Sequence, residues 1–366
     1  MTAWLAERRL VLATAVCSRL LVLAAAVAGH ALHWPRPPTA VPGSGSTHIL
    51  GLLGYWDGVW YRTVAERGYL LIPGRQSDSA FFPLFPILLR WLHDLGLSFI
   101  TSGVAIANVA FVIGIVAFYE VGRRLVPEHV AETSALFAAF FPMSFVFSMT
   151  YPESLVLAAL ALALLAALNG RWTLSALAGT AAALGRPEAM FFALPLAAIA
   201  VGTARIGRAR GRAIGAALAP VASVATFPLY LGWALNNVFA WNLAQAAWGR
   251  SFGLDGVDRA LRQLHERGQS PWLWRDACFC VIYLGLIAAS RRLGLSWAWL
   301  LAGIPIVLLP VATGTFLSDA RFGLLALPGY WGLAVLAPQG AARRAVVIVS
   351  AALLVAGTMT IPLATP

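Results

Sequence analysis

MTAWLAERRLVLATAVCSRLLVLAAAVAGHA, residues 1–31, decides the fold class. Arg8 and Arg9 precede an apolar run from Leu10 to Ala31. A helix crosses the hydrocarbon core of a bilayer in about 20 consecutive apolar residues, so this run is long enough to span. A cleaved signal peptide would carry a shorter apolar region and a small-residue cleavage site. This run instead leads into HWPRPP at 33–38 and is expected to be an uncleaved first span. The two arginines place its N-terminus in the cytoplasm, because cytoplasmic ends of spans collect Arg and Lys.

The rest of the chain repeats the pattern. Of 366 residues, 60% are apolar and 11% charged, with a mean hydropathy of +0.78. An ordinary soluble domain runs at about 45–50% apolar and about 25% charged. That composition excludes a cytosolic enzyme, a disordered chain and a nucleic-acid binder. After a mixed, aromatic segment at 34–98, apolar runs fall at 99–121, 131–150, 154–169, 173–185, 189–204, 213–235, 276–290, 295–313, 321–338 and 345–362. With the first, these predict an all-α polytopic protein of about eleven transmembrane helices, forming a single transmembrane domain over 1–366.

The charges fix an expected topology. The net charge is +11, and every one of the 26 cationic residues is Arg. They fall in short clusters between apolar runs. With the N-terminus inside, Arg123–Arg124, Arg171, Arg205/Arg208/Arg210/Arg212, Arg291–Arg292 and Arg343–Arg344 all land on cytoplasmic turns, as the positive-inside rule requires. Most acids then lie outside: Asp57, Glu66, Asp78, Asp94, Glu153, Glu188, Asp255, Asp258, Glu266, Asp276 and Asp319, with Glu7, Glu120, Glu128 and Glu132 inside. The two long outer loops, 34–98 and 236–275, join Arg62, Arg186, Arg250 and Arg321 on that face, which suits chemistry at the outer leaflet. Arg-only, Ala/Gly/Leu-rich usage points to a GC-rich bacterial genome and so to a bacterial cell membrane. Cys17, Cys278 and Cys280 lie in apolar runs, make no disulfide framework or zinc pattern, and are expected to pack.

The densest chemical cluster is Tyr55-Trp56-Asp57-Gly58-Val59-Trp60-Tyr61-Arg62, continuing to Glu66, Gly68 and Tyr69. Val59, Tyr61, Val64 and Ala65 fit a short interfacial helix closed by Gly68. Asp57 then has two compatible readings, an N-cap or a general base desolvated among Trp56, Trp60 and Tyr61. The aromatic, proline-rich Phe81-Phe82-Pro83-Leu84-Phe85-Pro86 makes a stiff turn, an anchor in preference to a wall for a lipid tail. At Tyr151-Pro152-Glu153, Glu153 is either a first-turn acid favoured by the helix dipole or a ligand for sugar hydroxyls. Gly185-Arg186-Pro187-Glu188 breaks two apolar runs. An arginine there either forks a phosphate or pairs with Glu188, and Arg321 has the same choice with Asp319. Gly249-Arg250-Ser251-Phe252-Gly253 satisfies G-x-S-x-G, but that elbow needs a strand–turn–helix and a histidine partner, and neither is expected here. A P-loop, a dinucleotide fingerprint and H-E-x-x-H are absent.

Taken in order, Trp56-Asp57 with Tyr61 and Gly68-Tyr69, Phe81-Phe82-Pro83 with Pro86, Tyr151-Pro152-Glu153, Arg186 after a glycine, Gln245 with Trp248-Gly249, and Arg321-Phe322 resemble the PIG-V-type mannosyltransferase family. The resemblance implies a GT-C glycosyltransferase that inverts the anomeric carbon. It takes a sugar, mannose in that family, from a polyprenyl-phosphate carrier to a lipid or glycolipid acceptor on the outer face. It implies Asp57 as the catalytic base. On the residues themselves, Arg186 and Arg321, with Arg250 as a third contact, sit on the outer side beside span ends and are expected on the donor phosphate, with Trp56, Trp60, Tyr61, Tyr151, Glu153, Glu188, Gln245 and Trp248 expected about the substrates. It calls for no metal and no cofactor. The chemistry agrees: inverting transfer needs one carboxylate, and a phosphate leaving group needs positive charge more than an acid. The main alternative, a transporter or flippase, would carry ionisable residues at the bilayer midplane and internal repeats. Neither is present in the sequence. A non-catalytic scaffold is the third possibility.

Overall fold

The computed structural model describes residues 2–34, 47–203, 208–268 and 270–363. Arg205 of the expected cytoplasmic cluster and residues 35–46 of the first loop lie outside them. The described residues are helical, with no strand. In chain order the helices are α1 (Thr2–Ala31), α2 (Asp57–Arg67), α3 (Leu84–Asp94), α4 (Phe99–Leu125), α5 (Glu128–Phe140), α6 (Glu153–Leu168), α7 (Trp172–Gly185) and α8 (Ala193–Thr203). They continue as α9 (Arg208–Leu235), α10 (Ala240–Ala247), α11 (Gly256–Glu266), α12 (Pro271–Ala289), α13 (Trp297–Ala312), α14 (Asp319–Phe322), α15 (Leu327–Leu336) and α16 (Gly340–Met359).

Among the described residues five segments are long and apolar enough to cross a membrane: Arg8–Ala31, Phe99–Leu125, Ala209–Leu235, Pro271–Leu293 and Gly340–Met359. Shorter apolar helices cover Glu153–Leu168, Pro187–Thr203, Trp297–Ala312 and Leu327–Leu336. The apolar run at 131–150 is not one helix. Pro142 keeps Phe141 out of the helical region, at φ −54° and ψ 144°, so α5 stops there and a 3-10 turn follows at Ser144–Ser148. The run at 321–338 likewise breaks at Ala326, ahead of Pro328.

Helix α6 packs between α4 and α7, and α7 against α9. Close approach depends on small residues: a Cβ on Gly114 of α4 would sit 3.0 Å from the Ala158 backbone of α6. Helix α1 packs on α4, α5 and α16, while α12 packs on α15, where Gly332 lies against the Leu286 carbonyl. Contrary to the expected absence of ionisable residues at mid-span, a buried cation lies in the middle of α1. Arg19 is 3% exposed and donates to the carbonyls of Ser144 and Ala139 and the hydroxyls of Ser144 and Ser148, with Phe111 beneath it at 4.0 Å. A charge inside a span is tolerated when the protein supplies such acceptors. These bonds tie α1 to the 141–151 segment, which leads into the site below.

The described part of the first long loop, 47–98, folds onto the bundle. Helix α2 covers the expected stretch and ends where the Gly68 N–H bonds the Val64 carbonyl at 2.9 Å, with Gly68 at φ 77°. The expected turn at Phe81–Pro86 is cut short, because α3 begins at Leu84; Phe82 and Phe85 are buried, and Phe82 lies 4.6 Å from the Phe227 ring of α9.

Candidate active site

The site is assembled where helices begin or end, at two points beside a proline. Asp57 opens α2, Glu153 opens α6 after Pro152, and Arg186 follows the last residue of α7. Pro187 forces Arg186 into an extended conformation, φ −153° and ψ 133°. Arg321 lies in the single turn of α14.

Asp57 does not cap its helix. The cap position is Trp56, and no side-chain cap bond forms there. The Asp57 carboxylate instead accepts a hydrogen bond from Arg321 Nη1 at 2.6 Å, and the Asp57 N–H donates to the Tyr151 hydroxyl at 3.0 Å. Arg321 Nε lies 3.4 Å from Glu153 Oε1. Glu153 is fully buried and also pairs with Arg186, whose guanidinium reaches both Glu188 oxygens at 3.0 and 3.2 Å. Glu153 thus bridges two arginines through Oε1, and its buried Oε2 has no hydrogen-bond partner. The Arg186–Glu188 pair is present, but Arg321 pairs with Asp57 and Glu153 and not with Asp319. Both Asp319 oxygens are buried, with the Cys280 thiol beside them and no arginine in contact. Burial pushes the Asp319 carboxyl up to about 8, which keeps it mostly protonated at neutral pH.

Arg250 completes the cluster. Its guanidinium donates to the Leu317 carbonyl at 2.8 Å and stands 5.1 Å from the Phe322 ring centroid; Arg186 stands over the same ring at 4.4 Å. No carboxylate lies within ion-pair distance of Arg250 in the described structure. Burial and then the Arg321 charge lower it to about 10, so it stays charged at neutral pH. With Asp319 neutral, three carboxylates (Asp57, Glu153, Glu188) face three arginines (Arg186, Arg250, Arg321). Of these charged groups, Glu153, Arg186, Glu188 and Arg321 are buried, and only Asp57 and Arg250 are partly exposed.

An aromatic wall stands beside Asp57. Trp60 stacks on Phe81 at 6.0 Å and meets Trp248 edge-on at 5.5 Å, while Tyr61 meets Phe81 and Phe85 edge-on. Gln245 Nε2 donates to the Ala80 carbonyl at 3.4 Å, so α10 of the second loop is docked on the first. Trp248 Nε1 is buried without a partner. Trp56 points away to the C-terminal turn, its indole N–H donating to the Ile361 carbonyl at 2.8 Å. Two contributions escaped the sequence: Phe322 as a platform shared by the arginines, and Asp276, whose Oδ2 accepts the Ser318 N–H at 2.7 Å and holds the turn before α14. The apolar context of α12 gave no signal for Asp276 beyond its being an acid near a span end. Ser251 of the G-x-S-x-G match is bonded by Arg259 at 2.9 Å. Among the described residues no group of three or more His, Cys, Asp or Glu is placed to hold a metal ion.

No family model matches the chain, and no curated protein matches it. Solved structures are similar in shape. The archaeal oligosaccharyltransferase AglB from Archaeoglobus fulgidus, in complex with an inhibitory peptide and a dolichol-phosphate, aligns with 98% of this chain and 56% of its own at 13% identity and a TM-score of 0.48. The Archaeoglobus fulgidus oligosaccharyltransferase complexed with zinc and sulfate aligns over 94% and 53% at 13% identity and 0.44. The same enzyme tethered to an acceptor peptide aligns over 98% and 55% at 14% identity and 0.45. The chain spans about half the length of these structures.

Proposed function

We propose that the protein is a membrane-embedded inverting glycosyltransferase of GT-C type. It moves a sugar, mannose by the family resemblance, from a polyprenyl-phosphate carrier to a lipid or glycolipid acceptor on the outer face of a bacterial cell membrane. The observation that carries this is the pairing of accessible groups. Above a buried, internally balanced set of ion pairs, one carboxylate and one arginine are left within reach of a ligand.

In this reading Asp57 accepts the proton of the acceptor hydroxyl as its oxygen attacks the anomeric carbon. The bond from that carbon to the phosphate oxygen breaks, and its electron pair stays on the phosphate. The diester becomes a monoester with one more negative charge, which Arg250 and Arg321 stabilise. Arg186 is committed to Glu153 and Glu188 and acts by holding the cluster. Trp60 and Trp248 offer an aromatic face for the lipid-linked substrates.

The test uses purified protein in nanodiscs. Radiolabelled polyprenyl-phosphate-mannose is the donor, and the lipid extract of cells lacking the protein supplies the acceptor. Asp57→Asn should lower transfer about 100-fold or more, within the range for a lost general base. Arg250→Met should weaken donor use, with the protein still folded. Near-native transfer by Asp57→Asn would remove the assignment of the base. Absence of any labelled lipid product with the native protein, across polyprenyl-phosphate sugars, would remove the function.

A further inference from the structure

Among the described residues, four that are not glycine have positive φ: His33, Trp56, Asn236 and Ser318. Two of the four sit at the candidate site. Trp56, at φ 55° and ψ −119°, immediately precedes Asp57. Ser318, at φ 68° and ψ 13°, opens the turn that carries Arg321. Their two payloads form the 2.6 Å Asp57–Arg321 contact. A large aromatic residue at Trp56's angles is strained, and such strain persists only where surrounding bonds over-determine it.

Those bonds are present on both sides of the strained residue. The Trp56 indole N–H donates to the Ile361 carbonyl, in the turn that follows α16, and the Asp57 N–H donates to the Tyr151 hydroxyl. Tyr151 is 1% exposed, and its own hydroxyl lies 3.4 Å from the Tyr55 carbonyl. The peptide between Trp56 and Asp57 is thus clamped from the C-terminal turn and from the segment before α6. Asp276 treats the Ser318 N–H in the same way on the Arg321 side. We propose that Trp56 is a positioning residue: its side chain, locked to Ile361, holds the backbone of Asp57 in the strained orientation that aims the carboxylate into the cluster. This rests on the reading of Asp57 as the base. It departs from a substrate-contact role for Trp56, because the indole N–H is spent on the protein's own C-terminal turn.

The experiment compares Trp56→Phe, Asp57→Asn and the double variant under the same transfer assay. Phenylalanine keeps a ring and removes the N–H. Loss of one hydrogen bond acting on the orientation of the base should lower kcat about tenfold, with the donor KM within about twofold. Acting through Asp57, it should add little to the Asp57→Asn loss, since residues working as one unit are not additive. A raised KM with kcat preserved would make Trp56 a substrate contact and overturn the proposal. Unchanged kinetics, or a double variant that loses the full product of both factors, would overturn it as well. Should Trp56→Phe fail to fold, Tyr151→Phe removes the other clamp and is read by the same criteria. Near-native turnover by Asp57→Asn itself takes away the base assignment and the positioning role with it. Trp56→Phe at native kinetics beside an inactive Asp57→Asn leaves the base in place and refutes the positioning role alone.

Discussion

Removing Arg186 should destabilise the protein severely, and removing a partner with it should reverse most of the damage. Arg186 is 7% exposed and is the link between Glu153 and Glu188. Arg186→Met deletes the charge but roughly keeps the volume. Glu188 then has no arginine in contact, and Glu153 keeps only Arg321, at 3.4 Å. Breaking a buried pair from one side typically costs about 3–5 kcal/mol, because a charge is left buried and uncompensated. Glu188 stranded, and Glu153 reduced to one arginine, put this variant at the upper end of that range. Glu188→Gln in the same chain removes one stranded charge and keeps a hydrogen-bonding side chain. Whole-pair replacement is often close to neutral, so the double variant should recover most of the loss. Thermal unfolding in detergent, followed by size-exclusion monodispersity, reads both. The expected order of stability is native, then the double variant, then Arg186→Met well below. If Arg186→Met melts with the native protein, Glu153 and Glu188 are not held as buried ions and the charge balance of the site is wrong.

Three further outcomes follow from particular contacts. Asp78 is 4% exposed, and burial pushes its carboxyl up to about 6 although it accepts the Leu70 N–H at 2.6 Å. A raised carboxyl favours the protonated fold, so its contribution is full below about pH 4 and is lost as pH rises through about 6. That loss should be about 1–3 kcal/mol, and Asp78→Asn should flatten the melting temperature between pH 4 and 7. Arg19→Met removes four hydrogen bonds inside the membrane region and leaves the Ser144 carbonyl short of a donor, while the Ala139 carbonyl keeps the Ser144 hydroxyl. At about 1–3 kcal/mol for a buried group left short of a partner, it should lower the melting temperature, and unchanged melting would refute that account. For topology, Gln76→Cys and Asp258→Cys, both exposed, should label with an impermeant maleimide from outside intact cells, and Arg171→Cys only after lysis.

The local signals in the sequence translate well into structure where the physics is local. Gly68 ends α2, Pro187 ends the helical path at Arg186, and the long apolar runs at 10–31, 99–121 and 213–235 lie within helices of spanning length. The pairing of charges shows where that stops. Arg186 and Glu188 stand two apart, as do Asp319 and Arg321, and spacing alone treats them alike. Arg186 is extended, and the 3-10 turn that begins at Pro187 carries the Glu188 carboxylate back to its guanidinium. Arg321 lies in a helical turn, where residues two apart diverge. It therefore meets Asp57, which is 264 positions away. The backbone state of one residue decides the outcome, and a following proline announces it in the first case only. Asp57 could not be separated from a cap by sequence for a related reason: the strained Trp56 takes the cap position, and aromatic residues give no sequence signal for positive φ.

The Asp57–Arg321 contact also predicts how charge moves in the proposed reaction. Before transfer, the accessible acid is an anion bonded to Arg321 and the donor phosphate is a singly charged diester. Afterwards Asp57 is protonated and the phosphate has gained the charge that Asp57 lost. The net charge of the site is unchanged while its location moves from one side of Arg321 to the other. A planar guanidinium suits that transfer, because it presents several donors in fixed directions and can bond a carboxylate through one nitrogen while others face an oxyanion. A lysine ammonium at the same place is a point charge and follows only one partner well. Arg321→Lys should therefore preserve folding better than Arg321→Met, since Asp57 and Glu153 keep a cation nearby. It should nonetheless lower kcat by about 10–100-fold while changing donor KM little, the signature of an interaction made mainly in the transition state. Steady-state transfer kinetics on the lysine variant decide this. If Arg321→Lys retains native kcat, Arg321 supplies static charge alone, and the growing phosphate charge is met by Arg250.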